Sequence, residues 1–331
     1  MSNISDKLNI GLIACSAFLA YLFPLELFIF AYAILGPLHY VTEINWLNNK
    51  SYFFSSKSWI WLLVGSTASL ILFIPKIYLE YGDAKSGMGE LMTVTTQWSN
   101  SAIFIALLLA LAYQFKPSKV GWAIFSVIGV IGSVFLRQME YYNIVVGMMI
   151  PTIIHVYLFT LIFMLYGAKK SNSKFGYLAV IFAVVAPLLF IYAPITPGQY
   201  LFSDALKDLY LENRFHVTPV IFSKLIGISD GTSFYFYEQM ELKLMMFMSF
   251  IYCYHYLNWF SKTTVIKWHK MLNLKKTIAI VVIWIASLSL YFYDFRLGFL
   301  VSLFLSFMHV ILEFPLNILS IRGILFPVKQ S

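Results

Sequence analysis

Long apolar runs, each closed by a short polar or charged break, set the pattern of this 331-residue chain. The runs do not alternate with period two, so they read as helices and not as strands of a barrel. Several are at least ~18 residues long, enough at 1.5 Å per residue to cross the roughly 30 Å hydrocarbon core of a bilayer. The breaks predict helices at roughly 8–23, 25–46, 58–80, 98–115, 119–137, 143–167, 175–194, 241–261, 276–294 and 297–320. Only Pro24 and Glu26 interrupt the first two, so one tilted helix and a count of nine is the alternative. The predicted fold is all-α, a polytopic transmembrane helical bundle of about ten helices. It forms one integral membrane domain over 1–331 with an outer loop element at 194–240. In that element Ser203-Asp204, followed by Leu206, Leu209 and Leu211, reads as a capped amphipathic helix, and Phe234-Tyr235-Phe236-Tyr237 as an aromatic belt at the interface. A lid over a cavity and an interface-lying connector both fit it.

Composition sharpens the class. At 60% hydrophobic and 11% charged, the chain has less than half the charge of an ordinary soluble domain. A net charge of +8 would point to nucleic acid in a soluble protein, but here the basic residues stand at the ends of apolar runs. That distribution is topology and anionic-lipid contact; nucleic acid is not an expected partner. Most of the 23 basic residues fall on one side: Lys7, Lys50, Lys57, Lys116, Lys119, Lys169, Lys170, Lys174, Lys262, Lys267, Lys270, Lys275, Lys276, Arg322 and Lys329. The positive-inside rule then places both termini in the cytoplasm and the protein in the inner, cytoplasmic membrane. Cys15 and Cys253 lie within apolar segments without C-x-x-C spacing and read as packing. No A-x-A-like cleavage site follows the first apolar run, so no removed signal peptide is expected. Nucleotide-binding, Rossmann, nucleophile-elbow and zincin motifs are absent from the sequence.

Against this background the ionisable residues inside the apolar runs stand out, because a charge at mid-membrane costs of the order of 2.5–3.5 kcal/mol. Two H-x3-E turns bracket the chain, His39 with Glu43 and His309 with Glu313, and each pair leaves one helix face. His155 and His255 join them, so four of the six histidines fall in predicted spans. All four sit on helices running from outside to inside, roughly 9–18 Å from the inner end at 1.5 Å per residue. A shared depth is what one common site requires. Imidazole suits iron, copper or zinc, and a carboxylate can complete the ligand set or orient a ligand from behind. His39, His155, His255 and His309 are therefore the candidate metal ligands, with Glu43 and Glu313 as ligands or orienters. The plainer alternatives are interhelical hydrogen bonding for each histidine and interfacial snorkelling for the glutamates. Tyr40, Tyr157, Tyr254, Tyr256, Asn258 and Trp259 flank the histidines; Arg137, Gln138 and Glu140 mark an outer junction where they pair most simply with one another. His216 and His269 lie in loops and are left out of the site.

An early helix with Pro37-x-His39-x3-Glu43, a later one with Tyr254-His255-Tyr256 and a last one with Met308-His309 resemble the layout of the Brp/Blh family. Those membrane β-carotene dioxygenases cleave β-carotene to retinal with histidine-bound non-haem iron and O2. The family's early turn ends in aspartate where this chain has Glu43, and its later helix has a second histidine where this chain has Trp259. The resemblance implies Fe(II), with His155 or His309 standing in for the missing ligand, and an apolar lipid-phase substrate such as a carotenoid. The residues by themselves leave four classes open. One is a membrane oxygenase of this kind, and another is a b-type electron carrier with haem held by two of the histidines. The third is an ion- or proton-coupled transporter using His39, Glu43, His309 and Glu313. The fourth is a non-catalytic assembly subunit whose histidines only tie helices together.

Overall fold

The computed structural model describes residues 2–49, 58–115, 118–196, 198–262 and 268–326. Of the basic residues in the charge pattern, Lys50, Lys57, Lys116, Lys267 and Lys329 lie outside the described residues. Among the described residues all regular structure is helical, with no strand. The chain divides into two compact units, Met1–His39 with Thr152–Lys270 and Tyr40–Pro151 with Met271–Ser331.

The first unit begins with α1 (Ser2–Leu22) and α2 (Pro24–Phe30). Phe23 separates them at φ −134°, ψ 61°, because the residue before a proline is pushed out of the helical region. The opening apolar stretch is thus two helices and not one. After α2 the helix widens into a π-helical stretch, Ala31–Leu35, and tightens again in α3 (Gly36–Asn49), where the chain passes into the second unit. Pro37 has no N–H to return to the preceding turn, and the Gly36 N–H reaches back to Ala31 O instead.

The second unit continues with α4 (Ser58–Tyr81), α5 (Gly87–Thr96), α6 (Ser99–Tyr113), α7 (Lys119–Leu136) and the short α8 (Glu140–Ile144). A second π-helical stretch, Val145–Phe159, contains Pro151 and carries the chain back to the first unit. There follow α9 (Thr160–Ser171), α10 (Lys174–Tyr192), α11 (Asp204–Glu212), α12 (Val217–Leu225) and α13 (Gln239–Ser261). The hairpin α14 (Leu274–Tyr293) and α15 (Phe295–Leu325) completes the second unit.

Among the described residues seven helices are, by length and composition, able to cross a membrane: Pro24–Leu47, Trp61–Tyr81, Lys119–Leu136, Glu140–Ser171, Lys174–Tyr192, Leu274–Tyr293 and Phe295–Leu325. The pair α5 and α6, bent by 44°, would make an eighth. The expected ten is therefore not reached, and three segments account for the difference. The segment at 8–23 is helical as α1, but Asp6, Lys7 and Asn9 dilute its apolarity. The segment at 98–115 forms a helix of 15 residues, about 22 Å at 1.5 Å per residue. The segment at 241–261 is α13, whose tyrosines, His255 and Asn258 lower its hydropathy while almost every position from Leu242 to Tyr256 is buried. A helix enclosed by protein on all sides does not need a lipid-grade surface.

In the first unit α13 is packed by α1, α2, α10 and α12. The Tyr254 hydroxyl lies 3.0 Å from both Asn9 Oδ1 on α1 and Met164 Sδ on α9, and the Ser249 hydroxyl donates to the Pro24 carbonyl. α10 buries small residues, Gly176, Ala179, Ala183 and Ala186, and exposes Ile181, Phe182, Leu188 and Leu189. That inversion belongs to a helix whose outer face meets lipid. α7 in the second unit does the same, burying Gly129 and Ser133 while Ile128, Ile131 and Phe135 face out. In that unit α4 lies against α15, and Arg296 pairs with Glu80 at 3.0 Å. Asp294 caps α15 by accepting the Leu297 N–H at 2.9 Å. In the outer element Ser203 caps α11 as expected, its hydroxyl accepting the Leu206 N–H.

Candidate metal centre

His39, His155 and His255 are each almost fully buried and are brought together in the first unit. Two of them stand just past the prolines that widen their helices, His39 two residues after Pro37 and His155 four after Pro151. An inserted π turn rotates every side chain beyond it, and such turns recur at functional sites. His255 comes from the middle of the enclosed helix α13.

The geometry centres on His255. Its Nε2 lies 3.1 Å from Nε2 of His39, with the two rings 4.7 Å apart and inclined at 72°. Its Nδ1 lies 2.7 Å from the Thr160 hydroxyl, which in turn donates to the Val156 carbonyl at 2.8 Å. The one proton of the Thr160 hydroxyl can go to the Val156 carbonyl or to His255 Nδ1; given to Val156, it leaves Thr160 to accept from His255 Nδ1 and turns the Nε2 lone pair toward His39. The His155 ring is 5.0 Å from that of His255. Tyr256, Trp259 and Phe260 stand around His39 at 5.1, 5.6 and 6.5 Å between ring centres, an aromatic surround of which Tyr256 is buried.

A metal fits this donor set. Two imidazole nitrogens bound to one ion at about 2.0–2.1 Å stand roughly 3 Å apart, the separation seen, and a histidine ligand ordinarily donates its other N–H to an oxygen, as His255 can to Thr160. Asn258 Oδ1, one turn beyond His255, is buried without a hydrogen-bond partner among the described residues, leaving polar capacity beside the cluster. A proton shared between the two imidazoles is the other chemistry the same distance allows.

The remaining expected residues lie in the second unit. Glu43 on α3 and Glu313 on α15 are buried and lie beside each other, and His309 stacks on Tyr40 with ring centres 4.5 Å apart. The two H-x3-E turns therefore meet through their glutamates. Tyr157 and Tyr254, candidates for supporting the histidines, instead tie helices together, Tyr157 by donating to the Ala183 carbonyl at 3.1 Å. Arg137 lies over the Trp98 ring at 4.2 Å. His269 is exposed, and His216 packs 5.7 Å from Phe234, where burial and the Arg214 charge hold its pKa below the ordinary imidazole value.

Thr160 is the functional residue that the sequence does not reveal. A threonine in an apolar helix ordinarily back-bonds to its own backbone, so nothing at the level of sequence marks it as the partner of a histidine 95 residues away. No protein-family model, no curated protein and no solved structure matches this chain. Fold and site together define an all-helical membrane protein with a buried histidine cluster.

Proposed function

We propose that the chain is a metal-dependent membrane oxygenase, with iron held by ligands drawn from His39, His155, His255 and His309, acting on an apolar substrate drawn from the bilayer, a carotenoid being the candidate. The observation that carries this reading is the approach of His255 Nε2 to His39 Nε2 at 3.1 Å, with the Thr160 hydroxyl 2.7 Å from the other nitrogen of His255. Iron bound there with open coordination positions would supply activation of O2. The chain's own residues do the rest. Thr160 and His255 fix the direction of the ligand nitrogens, and Tyr256, Trp259 and Phe260 keep water from the cluster. The resemblance to β-carotene dioxygenases supplies the substrate class. The charge pattern supports both termini in the cytoplasm and a cytoplasmic-membrane location.

Elemental analysis of detergent-purified protein tests the centre. Wild type is expected to hold about one iron per chain, and His39→Ala and His255→Ala close to none. Equal metal in all three would remove the assignment, and a Soret band in the purified protein would replace it with haem. Metal content of His155→Ala and of His309→Ala decides which of these two completes the set. Loss of β-carotene with O2 uptake by wild type, and not by His255→Ala, tests the reaction.

A further inference from the structure

The bent pair α5 and α6 lies in the second unit and takes no part in the metal reading. α5 packs on α4 and leaves Met88, Leu91 and Val94 about half exposed at three-residue spacing, an apolar stripe suited to lying in the membrane interface. The chain bends by 44° at Gln97 and Trp98, and α6 begins. Trp98 offers no side-chain cap, so the amides of Ser99, Asn100 and Ser101 open the helix without one. An uncapped helix start carries partial positive charge, and a broken membrane helix can turn that end toward an anion.

Buried hydroxyls line this start. Ser99 and Ser101 on α6, and Tyr142 on α8, are each more than nine-tenths buried. The Ser99 hydroxyl has no hydrogen-bond partner among the described residues. Thr93, Thr95, Ser126 and Ser133 on the adjoining helices behave otherwise, each donating to a carbonyl of its own helix. Ser101 and Tyr142 face one another without a further partner; whichever donates to the other, one hydrogen is left over. Helical side chains lean toward the N-terminus, so Ser99 and Ser101 are aimed at the same opening as the uncapped amides.

The frame around the opening is held by hydrogen bonds. Asn100 Nδ2 donates to Asn143 Oδ1 at 2.9 Å, and Asn143 Nδ2 donates to the Arg137 carbonyl at 2.8 Å. These bonds join the start of α6 to the end of α7, where the Arg137 guanidinium lies over the Trp98 ring at 4.2 Å. The acids of α5 and α8, Glu90 and Glu140, are exposed. A guanidinium, uncapped amides and buried hydroxyl hydrogens are the donors that a phosphate group takes.

We propose that the start of α6 binds the phosphate of a phospholipid headgroup, between Arg137 and the hydroxyls of Ser99, Ser101 and Tyr142, with the lipid tails along the exposed stripe of α5. No residue of the histidine cluster enters this site, so it stands apart from the metal reading.

Native mass spectrometry of the full chain released from detergent provides the test, with phosphatidylglycerol, diacylglycerol of the same tails, and inorganic phosphate as separate probes. Wild type is expected to hold one phosphatidylglycerol roughly tenfold more tightly than diacylglycerol. Arg137→Gln and the double variant Ser101→Ala/Tyr142→Phe are each expected to lose about that tenfold, while Ser126→Ala keeps it. Thermal unfolding checks that each variant folds; should Arg137→Gln fail, Ser99→Ala, which removes only a hydroxyl, is expected to weaken phosphatidylglycerol in its place. Equal binding of phosphatidylglycerol and diacylglycerol overturns the proposal. So does an affinity unaltered in the folded variants of this site. Inorganic phosphate bound with the same variant dependence, and no phosphatidylglycerol, overturns the assignment to lipid.

Discussion

The two units solve the same problem, ionisable groups inside an apolar bundle, with opposite chemistry. In the first, His255 stands between the Thr160 hydroxyl and His39, nitrogen to nitrogen at 3.1 Å. In the second, two acids, Glu43 and Glu313, are buried beside each other. The first arrangement gathers groups that suit a metal; the second gathers groups that suit a hydrogen or a cation. Burial alone therefore does not say what a polar cluster is for. The decisive quantity is which atoms still have bonding capacity once the local hydrogen bonds are assigned.

The comparison breaks most visibly at the carboxyl pair. Glu313→Ala leaves Glu43 buried without the partner it now has, and a loss of about 3 kcal/mol is expected, against less than about 1 kcal/mol for Glu313→Gln, whose amide still donates. Thermal unfolding in one detergent checks the ordering. If Ala and Gln behaved alike, the pair would not be a mutual hydrogen bond.

On the histidine side, Thr160→Val keeps the shape and removes the hydroxyl beside His255 Nδ1. Metal affinity is expected to fall by roughly 10–100-fold, with little change in fold. A competition titration against a chelator reads this directly, and unchanged affinity would show that Thr160 does not orient the ligand.

A steric test comes next. A Cβ at Gly65 would stand 2.9 Å from Leu312 Cδ2, at the level where Trp61 Nε1 donates to the Leu312 carbonyl at 3.3 Å. Gly65→Ala is expected to cost about 1–2 kcal/mol in the unit that carries Glu313 and to leave metal content alone. Should metal content fall as well, the two clusters would not be separable in the way drawn above.

The smallest effect belongs to the outer element. Ser203→Ala removes the α11 cap, for about 1 kcal/mol, without altering either cluster. Hydrogen exchange confined to 204–212 would register it.

Much of the scaffold was legible because its signals are local. Apolar runs of spanning length, the break at Pro24 and the cap at Ser203 each depend on residues within a turn or two. α13 was legible as a helix, but its enclosure by α1, α2, α10 and α12 was not, since burial among neighbours is set by partners distant in the chain. The histidines were visible as a set of polar intruders at one depth. Which nitrogen carries hydrogen, and what receives it, was not.

Sequence by itself therefore determined that the chain is helical and membrane-like, and which ionisable residues sit in its apolar helices; spacing and hydropathy are properties of adjacent residues. Only tertiary structure decided that Glu43 meets Glu313, that His255 faces His39, and that Thr160 orients His255. Those facts depend on contacts between segments up to 270 positions apart, and on the π-helical stretches Ala31–Leu35 and Val145–Phe159, whose effect on side-chain direction no hydrophobic pattern records.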